Sequence, residues 1–240
     1  MEEKRNFQNQ KLLKRDLWLE KIFKKKCYLT SDHRSVKFFQ NYKNSFIFLK
    51  TQKKIKKKFF VNKNFKFIGM NKTFQKNIST KIDYLKKKDI SYKTILNSKE
   101  KKKVINISYN NFKHSRFHLD KRLPKTKSNL IKKKTLQNFF LGKRSNKIVV
   151  QFYKRKVSGF CLLKYENYLK ARIDLICIDK KFSGKKLATD LINYTLNYLK
   201  KCNRKRLITS TQEKNLIALR LYKSFKFIPK GNFFLYHYIS

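Results

Sequence analysis

The chain has 240 residues, 63 lysines and arginines against 14 acidic residues, and a formal net charge of +49. Its 40% hydrophobic and 15% aromatic content is enough for a core, which excludes wholesale disorder, while 5 glycines and 2 prolines exclude collagen-like and proline-rich linker architectures. No apolar run approaches the roughly 20 residues needed to cross a bilayer, and none follows Met1 to act as a signal peptide, so a cytoplasmic protein with no membrane partner is expected.

The first hundred residues read as an α/β region of weak pattern. Asp16 to Phe23 opens a helix, and Phe38-Phe39, Phe46 to Leu49 and Phe59 to Val61 read as short strands between Lys/Asn turns. At Ser98 to Lys103 the chain turns polar, which sets a boundary between residues 1–104 and 105–240. Beyond it, Asn129 to Leu141 is a helix stopped by Gly142. Lys147 to Tyr153 and Val157 to Lys164 make a hairpin about Lys154-Arg155-Lys156. Ala171 to Asp179 is a third strand, apolar enough at its end to be buried on both faces. Leu187, Leu191, Ile192, Thr195, Leu196 and Leu199 form one stripe of a helix. Arg206 to Thr209 is a fourth strand, Asn215 to Phe225 a second amphipathic helix, and Phe233 to Ile239 closes the sheet. This order predicts an α/β sandwich.

The charge invites a nucleic-acid reading, which its distribution does not support. There are 52 lysines and only 11 arginines, and arginine is the better fork for phosphates and bases. Residues 1–105 carry +23 and residues 106–240 carry +26, so the excess is spread rather than concentrated on one face. An AT-rich coding bias toward Lys, Asn, Ile and Phe explains it. Under such a bias the surviving small residues, among them Gly159, Gly184 and Ala188, mark places where a side chain would not fit. Cys27, Cys161, Cys177 and Cys202 lie far apart with no C-x-x-C spacing, so a metal site is not expected and the thiols read as reduced.

Two segments carry chemistry. In the first, the strand ending Leu175-Ile176-Cys177-Ile178-Asp179 runs through Ser183-Gly184-Lys185-Lys186-Leu187-Ala188 into a helix. Such a corner offers unpaired N–H groups and the positive helix end to an anion such as a diphosphate; it is equally an ordinary strand–helix corner with surface lysines. In the second, Asn215 and Tyr222 stand two helical turns apart on one face. A tyrosine there packs in a core or, if it lines a cleft, donates a proton to a departing thiolate.

Together these segments resemble the GCN5-related N-acetyltransferases (GNAT), with their R/Q-x-x-G-x-G/A loop and N-x-x-A-x-x-x-Y-x-x-x-G-F helix. The loop corresponds to Ser183 through Ala188, and the helix to Asn215, Ala218, Tyr222 and Phe227. The likeness extends over about residues 108–240. It is nearest the dTDP-fucosamine acetyltransferase type, on Ser115-Arg116-Phe117-His118-Leu119-Asp120 with Pro124, on Arg172 to Asp179, on Thr211 to Asn215 with Ala218 to Tyr222, and on Tyr236-His237. Three positions depart from the pattern: Ser183 for Arg/Gln, Lys186 for the second Gly, and Lys226 for the Gly before Phe227.

The resemblance implies a GNAT fold, a mixed and mostly antiparallel sheet flanked by helices, over 105–240; residues 1–104, which it does not cover, read as an acceptor-side domain, a degenerate copy of the sheet or a partly disordered arm. It implies acetyl-CoA as cosubstrate, no metal, and transfer of the acetyl group to the primary amine of a nucleotide-linked amino sugar. Ile176, Cys177, Ile178, Ser183, Gly184, Lys185, Lys186, Leu187, Ala188 and Asn215 would hold the coenzyme. Tyr222 would protonate the thiolate, Asn215 orient the thioester and Asp174 act as base, while Arg116 and His118 would contact the acceptor. A homodimer is allowed. Two other readings stand beside this one: a protein N-acetyltransferase of the same fold, and a Lys-rich nucleic-acid-binding protein on an inactive scaffold.

Overall fold

The computed structural model describes residues 13–56, 64–78 and 87–240. β1 (Lys14–Arg15) leads into α1 (Leu17–Phe23), which starts where expected because the Asp16 carboxylate accepts the Leu19 N–H at 3.0 Å. β2 (Lys26–Thr30) and β3 (Ser45–Thr51) flank a 3₁₀ segment, His33–Asn41. The Phe38-Phe39 pair, expected as a strand, falls in this segment: Asp32 caps it through the Arg34 N–H at 2.9 Å, and Phe39 packs on Phe65 and Tyr238. The strand expected at Phe59 to Val61 lies outside the described residues.

β4 (Phe65–Asn77) and β5 (Ile90–Lys93) precede α2 (Ser98–Asn111). The polar stretch at Ser98 to Lys103 is therefore a helix start rather than a linker. A capping box opens it: the Asn97 side chain accepts the Glu100 N–H at 2.9 Å, and the Glu100 carboxylate accepts the Asn97 N–H at 3.0 Å. Only a narrow stripe, Val104 and Ile107, is apolar and buried among the lysines, which is why the segment reads as polar.

After α3 (Arg116–Leu119), a short helix the sequence pattern does not announce, the rest follows the expected order: α4 (Lys125–Phe140), β6 (Lys147–Tyr153), β7 (Lys156–Tyr165), β8 (Lys170–Ile178), α5 (Leu187–Lys201), β9 (Arg206–Gln212), α6 (Leu216–Ser224) and β10 (Ile228–Ile239). Among the described residues one sheet runs β1-β2-β3-β10-β4-β9-β8-β7-β6-β5. Its pairs are antiparallel except β2–β3 and β8–β9. β10 does not close the sheet; it lies between β3 and β4, and β4 pairs with β9. Strands from both sides of the 104/105 line thus interleave, and that line falls inside α2.

Both faces of the sheet's centre are covered. Val149, Cys161, Leu163, Ala171 and Ile173 pack against Leu191, Ile192, Leu196 and Leu199 of α5. Ile148, Val150, Phe160, Leu162 and Leu175 pack against α2 and α4 through Val104, Ile107 and Leu136. Double coverage explains the near-continuous apolar runs of β6 to β8.

One buried polar knot ties α3 to β10. Asp120 accepts from Arg122 at 2.8 and 2.9 Å and from His237 Nδ1 at 2.9 Å, inside a ring of Phe46, Phe48 and Phe117. Burial opposes ionisation of Asp120, yet His237 and Arg122 hold its carboxyl well below the usual range; burial pushes His237 down to about 4, so its imidazole is neutral at pH 7.

Candidate active site

The parallel pair β8–β9 is short. Its partners run Lys170↔Arg206 to Arg172↔Ile208, and there the strands part. β8 continues to Ile178 and β9 to Gln212 with no ladder between them, leaving a wedge-shaped split in the middle of the sheet. On its other side β8 stays paired with β7 as far as Gly159↔Ile178. Ladder groups alternate in direction, so every second residue along Ile176 to Ile178 turns its backbone N–H and C=O into the split.

A β-bulge re-aims β8 at the same level. Leu162 faces Leu175 and Leu163 faces Ile173, so Asp174 is the extra residue. As a result Ile173 and Ile176, three apart, both pack toward α5, and Leu175 and Cys177 both pack toward α2 and α4. Gly159 permits β7 to lie this close: a Cβ there would stand 2.4 Å from Ile178 Cδ1 and 2.7 Å from the Cys177 carbonyl oxygen.

At the end of β8, Asp179 caps a 3₁₀ turn, Lys180–Phe182, by accepting the Lys181 N–H at 3.2 Å, and the chain then enters α5. Among the described residues the N–H groups of Gly184, Lys185, Lys186, Leu187 and Ala188 have no protein acceptor. They stand at the positive end of a 15-residue helix. Gly184 at φ +79° and Lys186 at φ +56° give the loop its left-handed turns. The lysines at 185 and 186 are exposed, so the Lys186 side chain leaves the amides uncovered. Gln151, inside the apolar strand β6, fixes the helix start: its Nε2 donates to the Leu187 carbonyl at 3.0 Å. The apolar pattern of β6 conceals this role; a glutamine between Val150 and Phe152 is its signal in the sequence.

The side chains divide more sharply. Tyr222 does not line an open cleft; it is 2% exposed, packed against Phe74 and Phe227 under the split. Ala218, Leu221, Tyr222 and Phe225 share the buried face of α6, while Asn215 lies outside the helix as its N-cap, so the two do not project from one helix face. Burial pushes the Tyr222 phenol up to about 12, with the Thr209 hydroxyl beside it acting in the opposite sense. Asn215 accepts the Ala218 N–H at 3.3 Å and donates to Thr211 Oγ1 at 3.0 Å, which makes it a structural cap.

Asp174 accepts from Arg144 at 2.8 and 2.9 Å and from Ser145 at 2.7 Å. Burial would raise its carboxyl, but those hydrogen bonds and the Arg144 charge bring it below the usual value, which makes it a weak base. His118 has both ring nitrogens engaged, with Ser115 at 2.6 Å and Asn129 at 2.9 Å, so it joins α3 to α4 instead of facing a ligand. Arg116 is sandwiched between Phe48 and Phe117, its guanidinium carbon 3.8 and 4.3 Å from their centroids. Among the described residues no group of three or more His, Cys, Asp or Glu side chains could hold a metal ion, and no helix is long and apolar enough to cross a membrane.

A sheet split between parallel strands, with open amides at the adjoining helix start, gives an α/β protein a free strand edge beside a corner suited to an anion. Residues 114–227 match the model of the Acetyltransferase (GNAT) family. The chain carries a GNAT acetyltransferase domain and is an acyl-CoA-dependent N-acyltransferase. Its fold is similar to that of a functionally unknown conserved protein from Staphylococcus epidermidis (TM-score 0.64, 11% identity, 90% of this chain and 85% of that one). It is also similar to a GCN5-related N-acetyltransferase from Kribbella flavida (0.55, 5%, 89% and 81%) and to a tandem GNAT protein from the clavulanic acid biosynthesis pathway (0.55, 11%, 86% and 67%). At these identities the likeness is one of fold. Curated protein sequences include no match to the chain. GNAT acetyltransferases use acetyl-CoA, and the residues here fit it: open amides and two lysines for the diphosphate, a free strand edge for the acyl arm.

Proposed function

We propose that this enzyme moves the acetyl group of acetyl-CoA to the primary amine of a nucleotide-linked amino sugar by direct attack. The observation that carries the reading is the split beyond Arg172↔Ile208, with the unpaired amides of residues 184–188 at its mouth. The diphosphate lies on those amides beside Lys185 and Lys186, and the pantetheine arm runs along Ile176, Cys177 and Ile178 as an added strand would. An N–H of that segment meets the thioester oxygen as it gains charge.

The amine nitrogen forms its bond to the carbonyl carbon, the C–S bond breaks, and the amine proton leaves. Cys177 is no acyl carrier, since burial pushes its thiol up to about 12 and holds it protonated. Tyr222 remains protonated for the same reason, the form that can hydrogen-bond a departing sulfur. Ordinary thiols titrate near 8.5, so this phenol releases its proton to the thiolate only as the amine proton replaces it. Asp174 serves by fixing Arg144, and Asn215 by holding the start of α6. The strands and helices of residues 1–104 supply the acceptor side.

The test is mass-spectrometric detection of acetyl transfer to a panel of dTDP- and UDP-amino sugars, for the native enzyme and Tyr222→Phe. The native enzyme acetylates members of the panel; Tyr222→Phe lowers turnover about 100-fold with acetyl-CoA affinity nearly intact. Coenzyme binding without transfer to any sugar moves the assignment to another amine. Unchanged turnover in the variant removes Tyr222 from the mechanism.

A further inference from the structure

The acetyl-transfer reading leaves a group of cations without a use. Arg116 of α3 interacts electrostatically with Lys132 of α4, with Arg144 and with Lys50 of β3; Lys132 and Arg144 also act on Asp174, and Arg172 on Lys50. Asp174 is already neutralised by Arg144, and Arg172 pairs with Glu166. Arg116 and Lys132 have no such partner. No nitrogen of Arg116 is hydrogen-bonded to the protein among the described residues, and its Nε is buried. The Lys132 ammonium lies 4.9 Å from the Phe112 ring and has no acceptor among the described residues.

On a surface of net charge +49, unpaired lysines are ordinary. These two differ because each is half-buried against aromatic rings, with Arg116 Nε wholly covered; the partial burial pushes Lys132 down to about 8 and Arg116 to about 10. The carboxylates that act on them are already engaged, Asp16 in capping α1 and Asp174 in its pair with Arg144; like charges so placed oppose folding unless a further anion is supplied, and aromatic rings offset only part of that cost. Packing alone would be better served by methionine or leucine at either position. Lys132 also interacts with Cys177, whose side chain lies on the α2 and α4 face of β8. Phe48 and Phe117 leave Arg116 its planar rim of donors, a shape that suits two oxygens of one anion, with the lysine as a point charge beside them.

We propose that Arg116 and Lys132 form a receptor for an oxyanion, a carboxylate or phosphate carried by the acceptor amine. The proposal rests on the acetyl-transfer reading for its purpose, but not for its test. In the first arm, kcat/KM is compared for matched amines with and without the charge: an amino-sugar phosphate against the free amino sugar, and an amino acid against its amide. Native enzyme favours the anionic member of at least one pair by about 10- to 100-fold, and the pair that responds identifies phosphate or carboxylate. Lys132→Met abolishes that preference; Lys134→Met, the same charge change at an exposed position of the same helix, retains it.

The second arm needs no variant and no turnover. Tripolyphosphate, added at low concentration to the native chain during limiting lysine acylation, protects Lys132 and leaves Lys134 labelled. Equal rates within both pairs, equal losses in the two lysine variants, or equal labelling of the two lysines would overturn the receptor. If no amine is acetylated yet Lys132 alone is protected, the transfer reading fails and the oxyanion site stands.

Discussion

At the end of α6 the Phe227 N–H donates to the Tyr222 carbonyl at 3.0 Å and the Lys226 N–H to the Lys223 carbonyl at 2.8 Å. With the Tyr222 and Phe227 rings 5.4 Å apart, this is a Schellman cap and its apolar contact, and Lys226 is the left-handed residue at φ +55°. α4 ends the same way on Gly142 and α5 on Asn203, so lysine occupies a position that glycine and asparagine fill elsewhere in the chain. Lys186 repeats the substitution at φ +56°. Both glycines missing from the family pattern thus correspond to backbone that kept the glycine conformation. A left-handed side chain costs roughly 1–2 kcal/mol, and glycine's extra freedom in the unfolded chain takes back part of that gain. Lys226→Gly, at an exposed site, should stabilise the protein by about 0.5–1 kcal/mol, a rise in Tm of about 1–4 °C by calorimetry. A fall in Tm would mean that the lysine carries no strain.

Elements from Asn129 onward were legible because their apolar spacing follows the two simple periods and Gly142 punctuates the first helix. The loop before α5 was legible for a related reason, since a strand, a glycine and a helix in series fix where amides go unpaired. The use of individual side chains was not. Asn215 and His118 stand where the family pattern or a polar character suggests chemistry, yet a cap and a helix-to-helix tie claim them first. The bulge at Asp174 is a register event between two strands, and a single strand's sequence does not contain it. Gly159 makes that register testable. Its missing side chain lets the Cys177–Ile178 backbone approach, so Gly159→Ala must push β7 and β8 apart at the segment that faces the thioester. Overpacking of this kind costs about 2 kcal/mol. Urea unfolding should report that loss together with a drop in acetyl transfer; a variant with native stability and rate would mean the two strands yield without consequence.

The whole molecule is one interleaved sheet, and this is what the sequence concealed most fully. β4, read from a region without a recognisable pattern, pairs with β9 from Asn71↔Gln212 to Asn77↔Arg206 and with β10 over most of its length. It also supplies Phe74, whose ring lies 6.0 Å from that of Tyr222, so residues before the 104/105 line help build the floor of the split. Strand pairing across such a separation has no local signature, because the register is set only once both faces are buried. The consequence is a fragment test. Residues 105–240 alone would expose the edges of β9 and β10, remove the first two turns of α2 and uncover the cluster around Tyr222. That fragment should show no cooperative thermal transition by circular dichroism and no acetyl transfer, whereas the full chain unfolds in one step. A cooperative, active fragment would mean that the C-terminal part folds on its own and that the N-terminal strands only decorate it.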